Sequence, residues 1–203
     1  MRSRHNEEMS DLQTEIAATA ARLVVEEGLE YGAAKQRAVK QMRLPARTAL
    51  PSNDRLEEEV RDYLDLFCAD SQPRELRALR DLAKVWMTRL EMFRPHVGGA
   101  VWRGTATRLS DIYLQLFCDD SKSAEIELIN QACVYQVSRV NGFQGEPVDA
   151  LSLSVACPAL QTHVGLHLLI YDHDDLRGAL KPDAQGRTWR GDLAALTRLM
   201  DEK

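Results

Sequence analysis

An α+β fold, with N-terminal helices leading into a small mixed sheet flanked by helices, is what this sequence predicts. Long apolar stripes at helical spacing run from Leu12 to Phe93. After Arg94-Pro95 they give way to a glycine pair and short period-two apolar runs. Size sets the third constraint: 203 residues, 44% of them hydrophobic, suffice for one good core with a helical appendage, and two full-sized domains would be a tight fit.

Taken in order, Ser10 with Gln13 three residues later reads as a capping-box start, and Leu12, Ile16, Thr19, Ala20, Leu23 and Val24 then share one helical face. Gly28 is placed to end that helix. A second helix covers residues 32–42 and is stopped by Pro45. The cluster Pro51, Ser52, Asn53 and Asp54 is rich in N-cap residues and opens a third, with Leu56, Val60, Leu64 and Phe67 as its buried stripe. Pro73 sits in the first turn of a fourth, whose apolar face reads Leu76, Leu79, Leu82, Ala83, Trp86 and Leu90. Residues 100–102 and 112–117 read as strands, 121–131 as a helix, 151–156 and 164–171 as strands, and 190–200 as a last helix. Residues 141–149, with Gly142, Gly145 and Pro147, and residues 181–187 read as loops. The expected organisation is a helical region over 1–72 and an α+β domain over 73–203.

Bulk charge names no partner, because a formal charge of -5 with 28% charged residues is that of an ordinary globular chain. Cys68, Cys118, Cys133 and Cys157 form no closely spaced pair, which argues against zinc and for small buried hydrophobes in a reducing cytosol. The first thirteen residues are polar and carry acids, unlike a signal or transit peptide, and no run of about 18 apolar residues exists to cross a bilayer. A cytoplasmic protein with no membrane partner is expected.

Residues 97–114, VGGAVWRGTATRLSDIYL, carry the chemistry. A glycine pair such as Gly98-Gly99 lets backbone N–H groups approach anionic oxygens, and Arg103 can add charge-assisted contacts to them. Two carboxylates one residue apart on a strand would point the same way and could hold two divalent cations. Each piece also has a plainer reading: a glycine pair is often a tight turn, and Asp111 can cap a turn before its strand.

This stretch resembles the signature of the DNA polymerase β-like nucleotidyltransferase superfamily: a glycine pair, a spacer of about ten residues, then Asp-x-Asp or Asp-x-Glu in a strand. Here the matching residues are Gly98-Gly99 and Ser110-Asp111-Ile112. The resemblance implies a nucleotidyltransferase-like sheet, ATP or another nucleoside triphosphate as ligand, and Mg²⁺ as cofactor. It implies Gly98, Gly99, Arg103, Gly104 and Ser110 as nucleotide-binding residues, and Asp111 as catalytic residue and metal ligand. The sequence departs from that pattern, since Tyr113 stands where the second carboxylate is due and Gln115 follows on the same face. The run matching the strand of the third carboxylate offers His167, which also reads as a satisfied core histidine. Glu125 and Glu127 lie on what reads as the solvated face of a helix, and the acidic run from His173 to Asp175 reads as a cap or solvated loop. The chain also looks like a bacterial group sharing the glycine turn, the strand from Ser110 to Leu116 and a closing helix with Asp192 to Leu196.

Two functions follow: transfer of a nucleotidyl group to an acceptor, or nucleotide binding without catalysis. A function of another class rests on Lys35, Arg37, Lys40, Arg43 and Arg47, five cations in an acid-free stretch that could bind the backbone of RNA or DNA, or form an interaction module. A solvated helix face explains them equally. Arg77, Arg80 and Lys84 repeat the theme on the fourth helix, where an acceptor could be held or where Asp81 could pair them.

Overall fold

The computed structural model describes residues 2–183 and 186–202. Contacts between Cα atoms divide the chain into two compact units, Met1–Pro73 and Arg74–Lys203.

The first unit holds three helices: α1 (Arg2–Glu27), α2 (Tyr31–Gln41) and α3 (Asn53–Phe67). Their apolar faces meet around Ile16, Leu23, Ala34, Ala38, Leu56 and Val60, all nearly or fully buried. Each large aliphatic chain so buried contributes about 1.5–3 kcal/mol. Ser52 caps α3 as expected, its hydroxyl accepting from the Arg55 N–H at 3.1 Å. Ser10, in contrast, caps nothing: α1 already runs through it, and its carbonyl accepts the Thr14 hydroxyl at 3.0 Å. Glu7, Glu8 and Met9 are good helix formers and present no stop signal ahead of it. Phe67 departs from the expected stripe too, 69% exposed at the last residue of α3, where its ring leans on Tyr63 with centroids 4.6 Å apart.

In the second unit α4 (Gln72–Arg89) precedes β1 (His96–Gly98), α5 (Gly99–Arg103), β2 (Ile112–Cys118), α6 (Ser121–Asn130), β3 (Tyr135–Asn141), β4 (Pro147–Cys157), β5 (Thr162–Asp172), α7 (Leu176–Ala179), β6 (Arg190–Gly191) and α8 (Leu193–Asp201). The sheet order is β3-β4-β5-β2-β1-β6, with β2 and β5 parallel and the other pairs antiparallel. This is the α+β arrangement the sequence predicts: helices first, then a mixed sheet flanked by helices.

Period-two alternation gives the sheet two unlike faces. Ile112, Leu114, Leu116, Leu166 and Leu168 are fully buried in the core that also takes Leu79 of α4, Leu128 of α6 and Leu196 of α8. The intervening residues Tyr113, Gln115, Ser152, His167 and Leu169 are half-buried on the other face. Toward one end of that face Phe117, Tyr171 and Ala179 make a small separate cluster, against which Phe143 packs.

Four sequence expectations need correction here. Residues 100–102 are helical, because Gly99 adopts φ 64°, which turns the chain out of the extended path of β1. Arg80, buried to 4% exposure, then donates through Nε to the Val101 carbonyl at 3.1 Å and through Nη2 to the Trp102 carbonyl at 3.3 Å, satisfying the end of α5. It therefore serves structure, not an acceptor, and Arg77 pairs with Asp81 at 3.2 Å. The loop expected over 141–149 shrinks to a hairpin turn at 142–146, since β3, unforeseen, pairs with β4 from Tyr135 to Asn141. Arg190 and Gly191 form β6 rather than the start of the last helix, which Asp192 caps by accepting from the Ala195 N–H at 2.7 Å. No described helix is long and apolar enough to cross a membrane.

Candidate functional site

Gly98 ends β1 and Gly99 opens α5, so the glycine pair leads out of the sheet instead of into it from α4. Asp111 lies immediately before β2. Ser110 folds back on its own turn, its hydroxyl accepting from the Thr107 N–H at 3.0 Å. Gly104 closes α5 at φ 87°. Arg103 stands over the Trp189 ring at 5.9 Å from its centroid. Of the five nucleotide-binding candidates, then, Gly98, Gly99 and Arg103 stand on the path from β1 through α5, while Gly104 and Ser110 have local backbone roles that account for them.

Asp111 is already committed to protein partners. Its Oδ1 accepts the Gly165 N–H at 3.1 Å, and its Oδ2 meets His167 Nε2 at 3.1 Å. A side chain on Gly165 would overlap the Asp111 carboxylate, so the close approach needs glycine there. The hydrogen bond from His167 leads in holding the Asp111 carboxyl below the ordinary carboxylate range; partial burial opposes it, and the charge of the ring and the Gly165 N–H assist it. Tyr113, in register with His167 on the neighbouring strand, stacks on the imidazole at 4.8 Å between centroids. The second imidazole nitrogen, Nδ1, lies 2.9 Å from the hydroxyl of Ser152, the residue paired with His167 on β4. Asp111, His167 and Ser152 thus form a continuous hydrogen-bonded row that runs from the entry of β2 across β5 to β4.

This donor set does not fit a pair of magnesium ions. Mg²⁺ needs converging carboxylates in near-octahedral geometry, whereas here one carboxylate has both oxygens engaged and its neighbours are Tyr113 and a histidine. Among the described residues no three His, Cys, Asp or Glu side chains gather as a metal site. Glu125 is engaged by Lys122 at 2.7 Å and by the Tyr135 hydroxyl at 3.1 Å, and Glu127 accepts from Gln131 at 2.8 Å. Neither joins Asp111.

Two residues of this face escaped the sequence reading. Ser152 gains its meaning only from its cross-strand partner. Arg190 is paired with Gly98 across β6 and β1. Its guanidinium stands 4.5 Å from the centroid of the Phe143 ring, and Nε and Nη1 are shielded from solvent with no hydrogen-bond partner among the described residues. Burial lowers its pKa from the ordinary arginine value. A half-buried cation with two unmet donors, one strand away from the glycine pair, has the character of an anion-binding group.

The row also makes acid stability testable. Because the Asp111 carboxyl is held low in the fold, its contribution is present above the unfolded carboxylate pKa and is lost as pH falls through the lowered folded value. His167→Gln weakens the leading cause. Below about pH 4, the range of an unperturbed aspartate, the stability of the wild type is expected to fall more steeply than that of His167→Gln. Parallel acid titrations of urea midpoints check this, and equal slopes would remove the proposed linkage.

No protein-family model matches the chain, and no curated relative matches it. Two solved structures are similar to it. Cid1 poly(U) polymerase with MgGTP bound aligns at 17% identity and a TM-score of 0.32, covering 50% of this chain and 32% of that one. Cid1 in complex with the UTP analog UMPNPP aligns at 15% identity and a TM-score of 0.33, covering 56% and 36%. The chain spans about a third of the length of the chains it matches. Likeness of this extent assigns no activity.

Proposed function

We propose that the second unit is a nucleotidyltransferase-like domain that binds a nucleoside triphosphate on the polar face of its sheet, without a two-metal centre. The observation that carries this reading is Arg190: two unmet guanidinium donors, shielded from water, on the strand beside Gly98. Leaving such donors unpaired is costly, and an anionic ligand that displaces the side chains covering them would satisfy them. The glycine turn beside it supports the same reading through its freedom to expose N–H groups. Asp111, tied to His167 and Gly165, positions the imidazole instead of gathering cations.

A triphosphate that binds only the folded state raises the melting temperature by mass action. The expected result is a shift with ATP or another nucleoside triphosphate that persists in excess EDTA and is retained by Asp111→Asn. A shift that requires Mg²⁺ or Mn²⁺ and disappears in Asp111→Asn would sink the metal-free reading. No shift with any of the four common triphosphates would sink the binding reading altogether.

The nucleic-acid alternative draws less support. Lys35 donates to the Pro51 carbonyl at 3.0 Å and to Asn53 at 2.8 Å, and Arg37 pairs with Glu27 at 2.8 Å. Lys40 on α2 and Arg43 and Arg47 in the turns after it remain exposed, as ordinary solvated cations are.

A further inference from the structure

The hydroxyl at the far end of the row is placed to react. We propose that Ser152 is a nucleophile that accepts a nucleotidyl group from the bound triphosphate, so that the protein modifies itself. The inference rests on the nucleotide-binding reading above and adds the acceptor.

The geometry is that of an activated serine. An ionised Asp111 offers only acceptor oxygens, so the imidazole facing it carries its proton on Nε2 and donates it to Oδ2. In the neutral ring that leaves Nδ1 as the acceptor, and the Ser152 hydroxyl donates to it at 2.9 Å. A nucleophile hydrogen-bonded to a base, with the base oriented by a third group, is the arrangement that makes a weak alcohol reactive. The stacked Tyr113 ring and the Gly165 anchor hold imidazole and carboxylate in that orientation.

The electrophile follows from what shares the face. In the sheet order, β5, β2 and β1 follow β4, so three strand spacings separate the Ser152 backbone from Gly98, and Arg190 is paired beyond it. At about 4.8 Å per spacing this is about 14 Å, a span that an extended triphosphate and the two flanking side chains fill together. In this proposal the terminal phosphates take the glycine turn, and the triphosphate runs over Tyr113 and His167, which lie on the two strands between Gly98 and Ser152. In the step, Ser152 Oγ attacks the α-phosphorus and forms an O–P bond. The bond from the α-phosphorus to the bridging oxygen breaks, and pyrophosphate leaves with its electron pair. The serine proton passes to His167 Nδ1, giving an imidazolium that Asp111 stabilises. No redox change and no further reactant is needed.

The test incubates the full chain in EDTA separately with ATP, GTP, CTP and UTP and follows intact mass, peptide mapping and released pyrophosphate. The expected result is one nucleoside monophosphate group per chain, mapped to Ser152, with one pyrophosphate released. Ser152→Ala should abolish it, and His167→Gln should slow it by about a hundred-fold or more, the scale of a lost general base. Native tryptophan fluorescence and a cooperative melting transition would show that both variants fold. An adduct that survives Ser152→Ala, or a wild-type protein that shows the triphosphate melting shift and gains no mass, would overturn the acceptor proposal while leaving nucleotide binding in place. Absence of both shift and adduct would overturn the binding reading and the acceptor proposal with it.

Discussion

Arg190→Ala is expected to weaken nucleoside triphosphate binding by about a hundred-fold while leaving the melting temperature of the second unit unchanged or slightly higher. Two charge-assisted hydrogen bonds from Nε and Nη1 would each contribute at least about 1.5 kcal/mol to the complex, and about 3 kcal/mol corresponds to roughly two decades in Kd. In the free protein those same nitrogens are shielded and unpartnered. Removing them relieves a desolvation penalty and gives up the contact with the Phe143 ring, worth about 0.5–2 kcal/mol. The opposed terms nearly cancel in the fold and do not cancel in the complex. Calorimetric titration in EDTA measures the first quantity. Tryptophan fluorescence measures the second for this unit alone, because all three tryptophans, Trp86, Trp102 and Trp189, lie within it. Arg190→Lys separates charge from geometry, since an ammonium keeps the charge and loses the planar fork, and an intermediate affinity is expected. Unaltered affinity in Arg190→Ala would remove the residue from the site.

Local signals explain which parts of this fold could be read before the structure. The cap at Ser52, the terminators Gly28 and Pro45, and the apolar stripe from Leu76 to Leu90 act within a few residues of themselves, so they are written in adjacent letters. The strands around Ile112–Cys118 and Thr162–Asp172 were legible because one face of each is buried and the alternation is clean. β3 was not, because six of its seven residues are exposed on an edge strand and its letters carry no apolar face. Residues 100–102 misled for a different reason: Ala-Val-Trp fits strand and helix alike, and the choice is made by the backbone turn at Gly99 and by Arg80, which lies twenty-one positions before the Val101 carbonyl it caps. At the site, Asp111 and His167 were both singled out by motif and face. Their bond to each other depends on the parallel register of β2 and β5, which a separation of fifty-six positions conceals. Ser152 and Arg190 became visible only through pairing with His167 and Gly98, since isolated serines and arginines carry no signal of their own.

Gly165→Ala is expected to destabilise the second unit by about 1–3 kcal/mol, the usual cost of forcing a group into packed space, and to disconnect the row. The reason is steric and local. The added Cβ would overlap the Asp111 carboxylate, whose Oδ1 now accepts the Gly165 N–H at 3.1 Å. The backbone at 165 belongs to a strand paired on both sides, with β4 and β2, so it cannot move aside cheaply, and the carboxylate must leave. Its departure breaks the contact with His167 Nε2 as well, so the imidazole loses the partner that fixes its proton. For a chain of this size each kcal/mol moves the melting temperature by about 2–4 °C, a drop of about 2–12 °C in all. Asp111→Ala removes the obstructing carboxylate, so Gly165→Ala placed in that background should cost far less than in the wild type. The double-mutant cycle over Asp111 and Gly165 is therefore expected to give a coupling of about 1 kcal/mol or more, within the range for residues in direct contact. Additive effects, with the alanine equally costly in both backgrounds, would mean that the Asp111 carboxylate does not occupy the space beside Gly165, and the row of Asp111, His167 and Ser152 would lose its anchor.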